Sequence, residues 1–592
     1  MHLNDPTKPN KSSWVIWGLL ALPVIWFAVV LAQSWEPGAK LAGLLDGLLA
    51  GLDNPLALHW TDRTLGFVVI ALLLYAAAVG YYFTTIARTR AGEEQGSAQW
   101  GRPKQVNAKY ANTQNPFDNI ILTQNVRVGF DTRKHRRNLN ILCCGGSGAG
   151  KSRSFCIPSL QNAATDADNP NACSFVVCDP KGELLRNTGM MLVEKGYDIR
   201  VINLVNLEQS DSFNPFNYIR DDAGALKMIN NLIKNTTPKT ARSDDPFWEK
   251  AETALLSAIV LYLIHEAPEY EQNFGMVMFM LENSAASEEN EEYRSPVDLI
   301  FEGLEEEQPD HIAVKEYKVF KQAAGKTAKS ILVSAAVRLH FFNLPAIQRI
   351  TNTDSLDLGS LGERKRAVFC IVPDNGDTSL SFLVGLLYSS AFQELYYRAD
   401  YHHGGRLPVH VRFLMDEFAN VPLPEDFERI LSTVRSREIS INIIVQNIAQ
   451  LKALFKDSWE NITGNCDFFY YMGGNEQSTH SYCSKLIGRQ SLNVKSFGLQ
   501  RGRSGSSSEN TQVQGRELMM EDEVRMLDND YGLLFIRGER PLIDRKYDLK
   551  THPHYSMMAE GGGQPYIIAQ TMYRQDDLSF PFTGLDDIEI IE

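Results

Sequence analysis

The sequence predicts an α/β protein: a mostly parallel sheet with helices on both faces, preceded by a two-helix membrane anchor. Three observations carry this. Short apolar, β-rich runs alternate with helical stretches along much of the 592-residue chain, the pattern of parallel strands buried on both faces. One of those runs leads into a glycine-rich loop and a helix. Two charge-free stretches near the N-terminus are each long enough to cross a bilayer. Composition agrees with a folded chain. Hydrophobic residues make up 44% and charged residues 22%, which excludes a disordered protein, a collagen and a disulfide-rich mini-protein. Length alone allows about four domains. The formal net charge of −14 argues against a globally basic surface that coats nucleic acid. It leaves room for a local basic channel, because binding follows the local field.

The anchor comes first. Ser12 to Trp35 and Thr64 to Ala87 are each 24 residues without a charge, and about 20 suffice to span the hydrocarbon core. Pro23 is tolerable in a membrane helix. Trp14 and Trp35 lie near the ends of the first run, where aromatic rings favour the headgroup layer. A cleaved signal peptide is disfavoured by the length of this run and by the second span. Lys8 and Lys11 precede the first span, and Arg88, Arg90, Arg102 and Lys104 follow the second. The loop between them carries Lys40 and Arg63 against Glu36, Asp46, Asp53 and Asp62. The positive-inside rule then places both ends in the cytoplasm, with two spans at about 13–35 and 64–87.

The strongest local signal is Gly145-Gly146-Ser147-Gly148-Ala149-Gly150-Lys151-Ser152, a full match to the phosphate-binding loop G-x-x-x-x-G-K-[ST]. Leu139 to Cys144 reads as the strand before it, and a helix follows Ser152. Glycines let backbone N–H groups close around phosphates, and the helix points its positive end at them. Lys151 is suited to the β- and γ-phosphates of ATP, and Ser152 to Mg²⁺. A second carboxylate motif is required. Val409 to Met415 is an apolar strand candidate that ends in Asp416-Glu417. Asp416 suits the Mg²⁺ shell, and Glu417 suits polarisation of the attacking water. Further strands are expected at Ser174–Cys178, Tyr197–Leu204, Ala367–Val372, Ile439–Val445, Asp467–Met472 and Gly532–Arg537. Gln446, after one of them, fits either a γ-phosphate or water sensor or a helix-start cap.

These residues resemble a known family. The phosphate loop, Asp179-Pro-Lys-Gly-Glu183 and Asp416-Glu-Phe-Ala-Asn420 occur in order, preceded by Gly96-Ser-Ala-Gln-Trp100 and two spans. The set is similar to the type IV coupling proteins, the TraG/TraD-like ATPases of conjugation and type IV secretion, from the spans to roughly Tyr555. The resemblance implies a RecA-like P-loop ATPase domain interrupted by an all-α domain. It also implies a membrane-anchored homo-hexamer in the bacterial cell membrane. Such an assembly would couple a relaxase–DNA substrate with its relaxosome proteins, or a protein substrate, to the secretion channel, using ATP and Mg²⁺. By motif it assigns Lys151 and Ser152, Asp416 and Glu417, and Gln446. It places Arg435 and Arg437 where one of them could reach a neighbouring subunit's nucleotide. Two alternatives remain: an FtsK-like DNA translocase, which usually has more spans and a DNA-reading winged helix, and a membrane substrate receptor that hydrolyses nothing. The intact phosphate loop and Asp416-Glu417 argue against the second.

The all-α segment has its own support. Asp244-Asp245-Pro246 suits a helix start, and Trp248, Ala251, Leu255, Ala258 and Tyr262 repeat at spacings of three and four. Residues 288–310 hold ten acidic residues and Arg294, a solvated face or a docking surface for a basic partner. Two basic stretches are candidates for contact with DNA phosphates. Arg133-Lys-His-Arg-Arg137 lies near the nucleotide or a subunit interface by position. Lys495 to Arg503 reads as a mobile, turn-rich basic loop. Residues 576–592 form an acidic tail. The segments at 288–310 and 576–592 sum to −15, so the remaining chain is near +1. The eight cysteines have no metal-ligand spacing and read as small apolar residues. The expected organisation is a transmembrane hairpin at 1–90, a nucleotide-binding domain at 91–220 and 346–555, the all-α domain at 221–345, and the tail at 556–592.

Overall fold

The protein was analysed as a computed structural model that describes residues 11–35, 49, 51, 54–55, 57–85, 93–163, 173–237, 247–285, 293–323, 325–373, 379–500 and 506–568. It divides into two units. The larger holds residues 98–490 and 517–592 and is built on one sheet. Its strands are the short pair β1 (Asn119–Ile121) and β2 (Arg127–Gly129), then β3 (Ile141–Cys144), β4 (Cys173–Pro180), β5 (Asp198–Asn203), β6 (Arg366–Val372), β7 (His410–Met415), β8 (Ile439–Val445) and β9 (Phe468–Tyr471). Two long strands come next in the chain, β10 (Arg489–Gln500) and β11 (Ser506–Glu517), most of whose residues belong to the second unit, and then β12 (Tyr531–Ile536) and β13 (Leu542–Arg545). The main sheet has the order β13-β12-β9-β3-β8-β7-β4-β6-β5. From β9 to β5 every pairing is parallel. Only β12 and β13 run against their neighbours.

Alternation within the strands explains why both faces are covered. Ile141, Cys143, Phe175, Val177 and Phe369 point to one apolar core. Leu142, Val176, Val368, Phe413 and Ile443 point to the other. Strands buried on both faces carry no polar alternation, so they read as continuous apolar runs.

Between β5 and β6 all described elements are helical, from Asp222–Thr236 to Pro345–Thr351 and the short turn Leu358–Gly362. Leu255, Ile259, Phe274 and Phe342 belong to the same core as one sheet face, so the helices continue that layer. The Phe247–His265 helix begins at Phe247; Asp244, Asp245 and Pro246 lie outside the described residues. The acidic stretch is described from 293 onward. There Ser295 and Asp298 form a reciprocal cap on the Pro296–Glu307 helix, Lys321 pairs with Asp298 at 2.8 Å, and Lys318 pairs with Glu305. The 576–592 tail lies outside the described residues.

The second unit holds residues 1–97 and 491–516. Its helices Lys11–Gln33 and Thr64–Thr85 are long and apolar enough to cross a membrane. They pair through Tyr75 Oη donating to the Trp17 carbonyl at 2.7 Å, and Trp26 Nε1 donates to the Pro55 carbonyl at 2.8 Å. Outward-facing Leu19, Leu22, Leu73 and Leu74 are exposed, as lipid contact would require. One expectation fails here. The composition from Lys495 onward predicts a turn-rich loop, but β10 runs through to Gln500 and pairs with β11. A paired ladder satisfies the backbone whatever the side-chain composition, so a Ser/Gly-rich sequence does not forbid a strand. Arg501 and Arg503 lie outside the described residues. Residues 491–516 group with this unit and not with the larger one.

Candidate functional site: a phosphate loop facing a strand-end carboxylate

The site lies at the carboxyl ends of the parallel strands, where open α/β sheets bind ligands. β3 delivers the loop. Gly145 N–H donates to the Val445 carbonyl at 3.1 Å, and Gly146 N–H to the Gly473 carbonyl at 2.8 Å, so the neighbouring strand ends hold the loop entrance. A Cβ on Gly145 would meet the Cβ atoms of Ala149 and Met472 at 3.1 Å. Gly148 and Gly150 sit at φ +77° and +83°, a region that costs an L-residue roughly 1–2 kcal/mol. Ser147 stands exposed at the tip. Lys151 Nζ donates to the carbonyls of Gly145 at 2.8 Å and Gly146 at 3.2 Å. A single wide turn, Ser152–Cys156, then leads into the Ile157–Ala163 helix.

β7 delivers the carboxylates. It is separated from β3 by β8 alone, and the gap is closed by Ser152 Oγ donating to Asp416 Oδ2 at 2.8 Å. Asp416 is 6% exposed. Burial pushes its carboxyl up, against the Ser152 hydrogen bond and the Lys151 charge. Glu417 follows at φ +53°, a left-handed conformation that is uncommon for glutamate and typical of strained functional turns. Its Oε2 accepts from Asn420 Nδ2 at 3.2 Å. Asp179, at the end of adjacent β4, is fully buried. It accepts the Leu184 and Leu185 N–H groups at 3.0 and 2.8 Å. Burial nonetheless pushes its carboxyl up to about 7, with the Asp416 charge adding to the shift.

A family model described as type IV secretory system conjugative DNA transfer matches residues 99–556. The chain belongs to that family. The conjugal transfer protein TraG of Rhizobium radiobacter is 22% identical over 407 residues, 67% of this chain and 60% of TraG. The VirD4 protein of Rhizobium radiobacter is 25% identical over 235 residues, 39% of this chain and 34% of VirD4. The chain therefore spans less than two thirds of the length of these relatives. Among solved structures, plasmid coupling protein TrwB in complex with the ATP analogue ADPNP has a TM-score of 0.53 at 14% identity, covering 76% of this chain and 93% of TrwB. TrwB in complex with ADP and Mg²⁺ has a TM-score of 0.51 at 14% identity, covering 77% and 96%. This likeness establishes the RecA-like P-loop fold.

In this family member the remaining expected residues fall in two places. Gln446 directly follows β8, the strand between the loop strand and the Asp416 strand, and is exposed. The cap of the next helix is Asn447, whose side chain accepts the Gln450 N–H at 3.0 Å, so of its two readings Gln446 is relieved of the capping one. Arg435 and Arg437 lie in the turn before β8, at the opposite end of the strands from the loop. The seven residues of β8 separate the two ends by about 20 Å. Arg437 binds Asp400 through Nε at 3.0 Å and Nη2 at 2.7 Å and stacks on Tyr396 at 4.2 Å. Arg435 is exposed and donates to the Thr132 carbonyl at 3.1 Å, beside the 133–137 basic cluster.

Sequence reasoning missed two supports of the loop: Gly473-Gly474 packs against Gly146, and Lys546 donates to the Ala149 carbonyl at 2.9 Å. A glycine pair directly after an apolar strand is a legible sign of close backbone approach. A single lysine in a C-terminal turn offers no such sign.

Proposed function

We propose that this protein is a membrane-anchored ATPase that takes a relaxase–DNA or protein substrate to a type IV secretion channel and drives its transfer by ATP hydrolysis. The observation that carries the reading is the 2.8 Å hydrogen bond from Ser152 to Asp416, which brings the end of the phosphate loop onto the second carboxylate motif across an intervening strand. Family membership, and the nucleotides in the TrwB complexes, support it.

Each residue then has a role. The amides of Gly148, Gly150, Lys151 and Ser152 cradle the phosphates, and the Lys151 ammonium compensates their charge. Ser152 and Asp416 are hard oxygen donors of the kind Mg²⁺ prefers and would hold that ion, which neutralises charge developing on the phosphates. Glu417 takes the proton of the attacking water, and Gln446 orients that water. Arg435 lies too far from its own loop to act on it, and Arg437 is committed to Asp400, so Arg435 is the one that serves a neighbouring subunit in a homo-hexamer. The all-α segment at 221–345, with its acidic face, receives the relaxosome or protein cargo. The two spans leave both termini in the cytoplasm, and DNA is gripped through its phosphates by basic residues of the channel.

The test is nucleotide binding by the full chain in detergent. Lys151→Ala should reduce ATP affinity and abolish turnover by removing charge compensation. Unchanged turnover in that variant would overturn the proposal.

A further inference from the structure

The phosphate loop is held from its outer side by a residue with no sequence signature. Lys546 follows β13, and its N–H donates to the Asp530 carbonyl at 2.7 Å, which pins it at the loop end of the sheet. Its ammonium donates to the Ala149 carbonyl at 2.9 Å and to Asn529 Oδ1 at 3.2 Å. Both acceptors are neutral oxygens. Partial burial lowers its pKa, against the pull of Asp530 and Asp528. Withdrawing an ammonium from water is costly unless it is bonded. Here the bond goes to the backbone of the loop.

The peptide it grips matters. Ala149 lies between Gly148 and Gly150, both at positive φ, and a Cβ on Gly150 would meet only Ser154 Oγ within 4 Å, at 3.6 Å. Few side chains therefore resist rotation of the Ala149–Gly150 peptide plane. In a trans peptide the C=O and the following N–H point in opposite directions. Fixing the Ala149 carbonyl outward toward Lys546 therefore turns the Gly150 N–H to the opposite side, the direction a phosphate-binding amide must face. A flipped peptide would present a carbonyl to a polyanion.

We propose that Lys546 is a positioning residue for the phosphate loop: by anchoring the Ala149 carbonyl it holds the Gly150 amide ready for nucleotide phosphate. This rests on the reading of the loop as an ATP site. The same C-terminal stretch returns to the site at Glu560, which pairs with Arg153 at 2.7 Å with both side chains substantially exposed. That contact provides a control for general loosening of the segment.

The experiment compares the full chain with Lys546→Met, Lys546→Gln, Lys546→Arg and Glu560→Gln in detergent. It reads affinity for a fluorescent ATP analogue, KM and kcat for ATP, and a thermal melt. Loss of one charged hydrogen bond to the loop should weaken binding about tenfold in the Met and Gln variants. KM should rise in parallel and kcat should stay within about threefold, because the amide cradle serves ground and transition states alike. Lys546→Arg should recover most of the affinity, and Glu560→Gln should bind as wild type does. The Gln variant carries the test if the Met variant unfolds. Wild-type affinity in the Met and Gln variants, or an Arg variant as weak as Met, would overturn the role of Lys546 alone. A wild-type chain that binds no nucleotide would overturn the ATP-site reading, and this inference with it.

Discussion

The two arginines before β8 make opposite predictions for stability and for activity. Arg437 holds Asp400 with two nitrogens and lies over Tyr396, with side-chain exposures of 22% for the arginine and 38% for the aspartate. A partly exposed pair contributes up to about 1 kcal/mol, and the ring contact adds about 0.5–1 kcal/mol. Arg437→Ala should therefore destabilise the chain by about 1–2 kcal/mol. Arg435 is exposed and makes one bond to a backbone carbonyl, so Arg435→Ala should stay within about 0.5 kcal/mol of wild type. Activity should run the other way. An arginine supplied in trans contributes a factor of about 10³–10⁵ in turnover, so Arg435→Ala should nearly abolish ATPase activity while Arg437→Ala keeps most of it. Urea denaturation gives the first ordering and steady-state ATPase assays the second. Mixing Arg435→Ala with Glu417→Gln should restore partial activity, because some interfaces then pair an intact Glu417 with an intact Arg435. An inactive but stable Arg437→Ala, with an active Arg435→Ala and no complementation, would refute the assignment.

Three further outcomes follow from the same geometry. Gln446→Ala should lower kcat and leave stability unchanged, whereas Asn447→Ala should cost about 1 kcal/mol as a lost helix cap; kinetics and melts on the pair separate the roles, and equal stability losses would contradict them. Asp179 is raised from 3.8 to about 7 by burial, so the folded chain holds its proton in a window where the unfolded chain has lost it. Its contribution is fully present below about pH 4 and is lost as pH rises through 7. Asp179→Asn should flatten that fall in urea midpoints between about pH 4 and 7, and parallel profiles would rule the linkage out. Gly150→Ala, at φ +83°, should cost about 1–2 kcal/mol and weaken nucleotide binding; a neutral result in both assays would mean the loop does not need this conformation.

Much of the fold was legible because parallel strands announce themselves as continuous apolar runs. Ile439–Val445 was read at its observed limits, and Val409–Met415 within one residue. Lys151, Ser152, Asp416 and Glu417 were legible as motifs, since phosphate and metal chemistry demand those residue types at strand ends. Other features depend on contacts made far along the chain. The order that sets β8 between β3 and β7 is a tertiary outcome, as is the approach of Lys546 to Ala149 across 397 positions. The hold of Asp400 on Arg437, which sets the two arginines apart, comes from no local pattern in the sequence. The β10–β11 pair was missed for a different reason. Its Ser- and Gly-rich composition carries a turn signal, and its strand character comes from the partner that completes its hydrogen bonds.

The central claim is that the loop and the β7 carboxylates together turn over ATP in the service of DNA transfer. It is tested most directly by ATPase assays of the full chain in detergent, with and without DNA, beside Glu417→Gln. Wild type should hydrolyse ATP faster with DNA present. Glu417→Gln should bind ATP as tightly and show no turnover under either condition. A wild-type chain that binds ATP but never hydrolyses it, or a Glu417→Gln variant as active as wild type, would contradict the account.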